Sequence, residues 1–179
     1  MRVLGIDPGL GRVGFGLLEI DVAEDGQSER FGDCQWGIIA TSKDKPDGQR
    51  LEEIHEDLTG LIEQFQPDVV SIERLFYFRN ATTLVPVAQA RGVILMVVSR
   101  FNLPVYEYTP MQVKQAITGY GKSEKREIQE MLVDLLRLEK KPTPDDAADA
   151  LALSVCHYNH VGRVQFLQAR HAQSQAVLS

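Results

Sequence analysis

The sequence predicts an α/β domain: a mixed β-sheet of three leading antiparallel strands, then parallel strands, flanked by α-helices. Three observations lead there. The N-terminal third carries three stretches of strand-like patterning separated by turn-forming residues. From about Asp47 onward, helical patterns alternate with short apolar runs, VVSIE and VYEY, of the kind that form buried parallel strands. Finally, 179 residues with 44% hydrophobic content suffice for one full core and are too few for two comfortable domains.

Arg2 to Asp7 alternates as a strand, and Val13 to Ile20 follows across the glycine- and proline-rich DPGLGR turn, which predicts an antiparallel hairpin. Asp21 to Arg30 is polar and reads as an extended turn before a third strand, Asp33 to Thr41. Asp47 is placed as the cap of a helix to about Phe65, with Leu51, Ile54, Leu58, Leu61 and Ile62 on one face, ended by Pro67. Val69 to Glu73 is a buried strand. Ala81 to Phe101 is a long helix in which Pro86 marks either a kink or the true start. Val105 to Tyr108 is a last strand. Helices follow at about Pro110–Ile117, Ser123–Leu138 and Asp145–Tyr158. A single domain is expected over residues 1–160, with residues 161–179 as a loose tail.

Composition excludes several classes. No apolar run reaches the ~18 residues that a membrane span needs, and the N-terminus enters a strand pattern at once, leaving no room for a signal peptide. Cys34 and Cys156 lack metal spacing and read as reduced thiols of a cytoplasmic protein. Net charge is −6, but it is unevenly spread. Residues 1–73 carry 6 basic and 16 acidic side chains, residues 74–126 carry 8 and 2, and residues 127–179 carry 5 and 7. A basic middle between acidic flanks suits a face that grips phosphates, although blocks of this size also arise on ordinary solvated surfaces.

The acids at particular positions say more. Asp7 and Glu73 each close an apolar strand, and ligand sites in open α/β sheets form beyond strand ends. Either acid alone could simply mark where its strand meets water. In the late helix PDDAADALALSVCH, Asp146 and Asp149 are spaced to point from one face, whose continuation, Ala150 and Leu153, looks like core. Asp146 has a structural alternative: with Thr143 as N-cap and Pro144 as the first helical residue, it takes the third position of a capping box. Capping does not account for Asp149. Converging carboxylates repel unless a cation intervenes. Oxygen ligands without His or Cys point to Mg2+ or Mn2+ and not to zinc. Two such ions, about 3.5–4 Å apart, can clamp both the attacking and the leaving oxygen of a phosphodiester.

The strings GIDPGLGRVGFG, SIERLFY, AQARGV, QVKQAITGYGK and DDAADALALS, in this order over about residues 1–160, resemble the RuvC family of bacterial Holliday-junction resolvases, within the RNase H-like and retroviral-integrase superfamily. The resemblance implies an RNase H-like fold and a metal- and catalysis-bearing quartet of Asp7, Glu73, Asp146 and Asp149. Some relatives carry His at the position of Asp146. It further implies two Mg2+ ions per site, with Mn2+ able to substitute, and a homodimer that binds a four-way DNA junction. Paired symmetric nicks by activated water would leave 5′-phosphate and 3′-hydroxyl ends in recombination and repair. A RuvA–RuvB branch-migration complex is the implied partner.

Other residues are candidates for DNA contact. Arg74-Leu-Phe-Tyr-Phe-Arg79 follows the second acid directly, and aromatics between arginines can stack on unpaired bases while the cations hold phosphates. Arg74, Phe76, Tyr77 and Arg79 are therefore assigned to DNA, Phe76 as a stacking wedge by resemblance, while Phe78 reads as a core or dimer contact. Lys114, Lys122 and Lys125 surround the Gly119-Tyr120-Gly121 turn. Lys114 and Lys125 match basic positions of the family; Lys122 rests on charge and proximity. The helix from Ala88 to Val98 is apolar on nearly all sides, which fits either a buried core helix or a dimer interface.

The opening GIDPGLGRVGFG also resembles the phosphate hairpin of actin- and hexokinase-like ATPases. Those proteins need a second domain and a second phosphate loop, for which this chain is too short, and they have no need of the Asp146–Asp149 pair. No nucleotide cofactor is expected. A non-cleaving junction binder is the third reading, and only loss of the acids would favour it.

Overall fold

Period-two alternation decides which helices each side of the sheet meets. In this computed structural model, residues 1–22, 29–75 and 81–162 are described. Strands β1 (Arg2–Asp7), β2 (Arg12–Val22) and β3 (Glu29–Ala40) pair antiparallel. Strands β4 (Val69–Glu73) and β5 (Val105–Tyr108) add in parallel on the other edge of β1, giving the order β3-β2-β1-β4-β5. The expected mixed sheet is therefore present. The second and third strands are longer than their hydrophobic patterns predict. Backbone pairing continues through Asp21↔Arg30 and Val22↔Glu29, so these polar residues belong to the ladder and not to a turn.

The helices are α1 (Asp47–Phe65), α2 (Ala81–Arg100), α3 (Pro110–Thr118), α4 (Lys125–Leu136) and α5 (Asp145–His157), the last running into a π-helical turn, Tyr158–Gly162. Asp47 is not the cap of α1. Pro46 holds that position, and Asp47 is the first helical residue, paired with Arg50 at 3.1 Å. Pro86 lies inside α2 near its start, where its missing N–H costs one helical hydrogen bond without ending the helix.

Leu4, Ile6, Leu17, Val70 and Ile72 face α1 and α2, packing on Ile54, Leu58, Ile94 and Val98. Val3, Leu18 and Val69 face the other way, onto Val113, Leu132, Leu151 and Val155 of α3, α4 and α5. The α2 helix has two unlike sides. Its inner side, Ala90, Ile94, Val97 and Val98, is core, while Val85 and Met96 on its outer side are exposed. No helix among the described residues is long and apolar enough to cross a membrane. Cys34 and Cys156 are free thiols, and burial pushes Cys156 up to about 12, which makes it a poor nucleophile.

Candidate active site

Register brings the two strand-end acids together. In β1 and β4, Gly5 pairs with Ser71 and Ile6 with Ile72, so the next step along both parallel strands is Asp7 beside Glu73. Alternation places both acids on the face covered by α5, the same face as Gly5 and Ser71. They are half-buried and close enough to share a hydrogen bond, which requires a proton on one of them. Burial is the largest cause that pushes Asp7 up to about 8; the neighbouring charges of Glu73, Asp149 and Asp146 add to it. Glu73 is also raised, first by burial, then by Asp149, and is held back by its hydrogen bond with Asp7 and by the Lys125 charge.

The helix that carries the other two acids rests on bare backbone. A Cβ on Gly5 would overlap the carbonyl oxygen of Ala150, one on Gly14 that of Asp146, and one on Gly16 would stand 2.5 Å from Leu151 Cα. Only glycine permits this approach of helix to strand. Two buried hydroxyls fasten it: Ser154 Oγ donates to Gly16 O at 2.7 Å, and Ser71 Oγ to Leu153 O at 2.8 Å. Each such bond contributes about 1 kcal/mol. Pro144 is the N-cap of α5, and its carbonyl accepts from Ala147 and Ala148 N–H. The capping box on Thr143 is absent, and Asp146 is left to face outward from the second helical position.

Asp7, Glu73, Asp146 and Asp149 line one cavity of about 350 Å³, together with Lys114 and Lys125. Each helix acid meets a cation: Lys125 Nζ donates to Asp149 Oδ2 at 2.9 Å and Arg12 Nη1 to Asp146 Oδ2 at 3.3 Å. Among the described residues, no three His, Cys, Asp or Glu side chains converge as they stand on one ion. The donor set suits a hard divalent cation: four carboxylates, with no sulfur or imidazole in the lining.

The remaining predicted residues are placed unevenly. Lys114 lines the cavity, but its ammonium also donates to Ser123 O at 2.7 Å and so ties down the turn before α4. Lys125 begins α4, and its proton is held more tightly than usual, chiefly by the hydrogen bond to Asp149. Lys122 is exposed on the turn. Arg74 is exposed just past the end of β4, with Nε 3.9 Å from Glu107. Phe76, Phe78, Tyr77 and Arg79 lie outside the described residues. Sequence reasoning missed Arg12 and the glycines under α5. Alternate glycines at positions 14 and 16 inside a strand were the available signal, since strand glycines mark close backbone approach.

The family model "Crossover junction endodeoxyribonuclease RuvC" matches residues 3–157. A curated protein of that name from Petrotoga mobilis is 50% identical over 159 residues, covering 89% of this chain and 94% of the relative. Another from Thermomicrobium roseum is 49% identical over 160 residues, with coverage of 89% and 94%. The structure of Thermus thermophilus RuvC in complex with Holliday junction substrate superposes with a TM-score of 0.80 at 33% identity, over 89% of this chain and 94% of that one. The yeast mitochondrial resolvase Ydc2, at 17% identity and a TM-score of 0.62, shares the fold. With a family model spanning nearly the whole described domain and half-identical relatives over most of the chain, this protein belongs to the RuvC family of crossover junction endodeoxyribonucleases.

Proposed function

We propose that this protein is a structure-selective endonuclease that resolves four-way DNA junctions in recombination and repair. It hydrolyses phosphodiesters in paired symmetric nicks and leaves 5′-phosphate and 3′-hydroxyl ends. The observation that carries the reading is the single cavity in which acids from β1, β4 and α5 meet Lys114 and Lys125. Asp7, Glu73, Asp146 and Asp149 would hold Mg2+, two ions per site with Mn2+ able to substitute, and the metal supplies Lewis-acid activation of water and charge stabilisation at the leaving oxygen.

The chain's own groups do the rest. Asp7 and Glu73, side by side at the ends of β1 and β4, would present carboxylate oxygens to the cation. Lys125 and Lys114 lie where they can hold the non-bridging oxygens of the phosphate, and Lys125 is kept on the cavity wall by Asp149. Arg74 and Lys122, both exposed, belong to the DNA surface, and Phe76, Tyr77 and Arg79, outside the described residues, are assigned DNA contact from the sequence pattern and the family resemblance. The nuclease domain is assigned to residues 1–160; of the tail expected over 161–179, residues 163–179 lie outside the described residues.

Paired nicks need two sites related by a two-fold axis, hence a homodimer. The outer side of α2 supports this assignment: Val85, Ala88, Gly92 and Met96 are exposed at helical spacing, and no atom comes within 4 Å of a Cβ built on Gly92. Family membership supports two further parts of this proposal, cooperation with a RuvA–RuvB motor and a cytoplasmic location. The test is a synthetic four-way junction incubated with Mg2+ beside a matching linear duplex. Symmetric nicks in the junction alone are expected; equal cutting of the duplex, or none of either, refutes the proposal.

A further inference from the structure

A second, larger groove of about 910 Å³ adjoins the acid cavity, and Lys125 and Asp146 line both. From there it passes the turn between β1 and β2, the segment that leads into α1, and Pro86 and Val87 of α2. Arg12, Lys43, Arg50 and Lys125 face it, against Asp47, Asp145 and Asp146. The acids are already engaged: Asp47 with Arg50, Asp146 with Arg12, and Asp145 accepts from Gln129 Nε2 at 3.1 Å. Lys43 is exposed and enters no ion pair among the described residues.

The groove is braced where it carries these charges. Arg50, with only 12% of its side chain exposed, donates from Nε to Thr41 Oγ1 at 3.0 Å. Thr41 in turn donates from Oγ1 to Leu10 O at 2.5 Å and from its backbone N–H to Gly11 O at 3.1 Å. The turn that leaves Asp7 is therefore clamped to β3 and α1. Gly11 has no packing reason to lack a side chain, since a Cβ there would meet only the Arg50 guanidinium, at 3.6 Å. Its backbone is left open to a close-approaching ligand. Arg12 engages Asp146 through Nη1 alone and keeps 58% of its side chain exposed beside this opening, so its remaining N–H groups are free to face a ligand.

The geometry points to a phosphate track: the DNA strand flanking the scissile phosphodiester runs from the acid cavity into this groove, where Arg12 and Lys43 hold its backbone phosphates and Arg50 fixes the turn beneath them. This deepens the endonuclease reading and rests on it. Arg12 holds Asp146 with one N–H and has others to offer a DNA phosphate.

The test measures junction affinity in an Asp7→Asn background, which prevents turnover, across 50 to 200 mM salt. Each phosphate contact removed should make that rise in salt cost about 3.5-fold less affinity. Arg12→Gln with Lys43→Gln should therefore flatten the loss by roughly 12-fold, and Arg12→Lys should restore most of it. Both residues are exposed, and unchanged melting temperatures will show that the fold is retained. A double variant with the salt slope of its parent overturns the track. If the parent itself does not prefer the junction to linear duplex, the endonuclease reading fails first, so the two failures are distinguishable.

Discussion

Gly14 of β2 lies directly under the backbone carbonyl of Asp146 in α5, so that a Cβ on Gly14 would overlap that oxygen. The strand opposite runs antiparallel with Gly14 paired to Asp7. One residue without a side chain thus sets the spacing between the first acid and the third.

Gly14→Ala should therefore push α5 off the sheet. The overpacking should cost about 1–3 kcal/mol of stability. A displacement of the acids on the order of 1 Å should lower the cleavage rate by about 100-fold. Melting temperature and junction cleavage on the same preparation check both. An active Gly14→Ala protein with an unchanged melting temperature would show that the contact does not position the site.

Asp7→Asn, Glu73→Gln, Asp146→Asn and Asp149→Asn each keep shape and remove one carboxyl group. Each should abolish cleavage while junction binding persists in a gel-shift assay. Retained cleavage in any two of the four would overturn the assigned quartet.

The Asp7 carboxyl, pushed up to about 8, makes stability depend on pH. In the unfolded chain an aspartate titrates near ~4. Between those values the folded chain keeps a proton that the unfolded chain has lost. The stabilisation is full below the unfolded value and is lost as pH rises through the folded one. In the presence of chelator, the melting temperature should drop from about pH 5 to about pH 8, and Asp7→Asn should flatten the drop. Mg2+ should stabilise the wild type more at the upper end, where it no longer competes with the proton. Parallel curves for wild type and Asp7→Asn would count against the shared proton.

Lys114 and Lys122 stand on either side of one turn, but only Lys114 is tied into it. Lys114→Ala deprives the carbonyl of buried Ser123 of its donor and should cost about 1–3 kcal/mol, besides weakening junction binding. Lys122→Ala should weaken binding with a stability change within about 0.5 kcal/mol. Equal melting temperatures for the two variants would remove the structural role of Lys114.

Gly92→Arg puts a long cation on the outer side of α2, where the fold leaves room for it. Light scattering should give the mass of a monomer for this variant and of a dimer for the wild type, and junction nicks should become unpaired. A dimeric Gly92→Arg protein would place the two-fold axis elsewhere.

Much of this was legible in the sequence because its signals are local. Period-two runs ending in Asp7 and Glu73 announce strands with acids at their ends, and a three-residue spacing puts Asp146 and Asp149 on one side of a helix whatever that helix packs against. The order of strands and helices follows from the same periodicities. Local patterns do not report distance between segments. That Asp146 faces the cavity, free of a capping box, was decided when Pro144 took the cap and α5 settled on Gly5, Gly14 and Gly16. That Arg12 meets an acid 134 residues away, and that Lys114 fastens a carbonyl as well as facing the cavity, are likewise tertiary facts. Sequence alone determined which residues could do the chemistry. Register and the close approach of one helix to bare strand backbone decided that the four acids share a cavity.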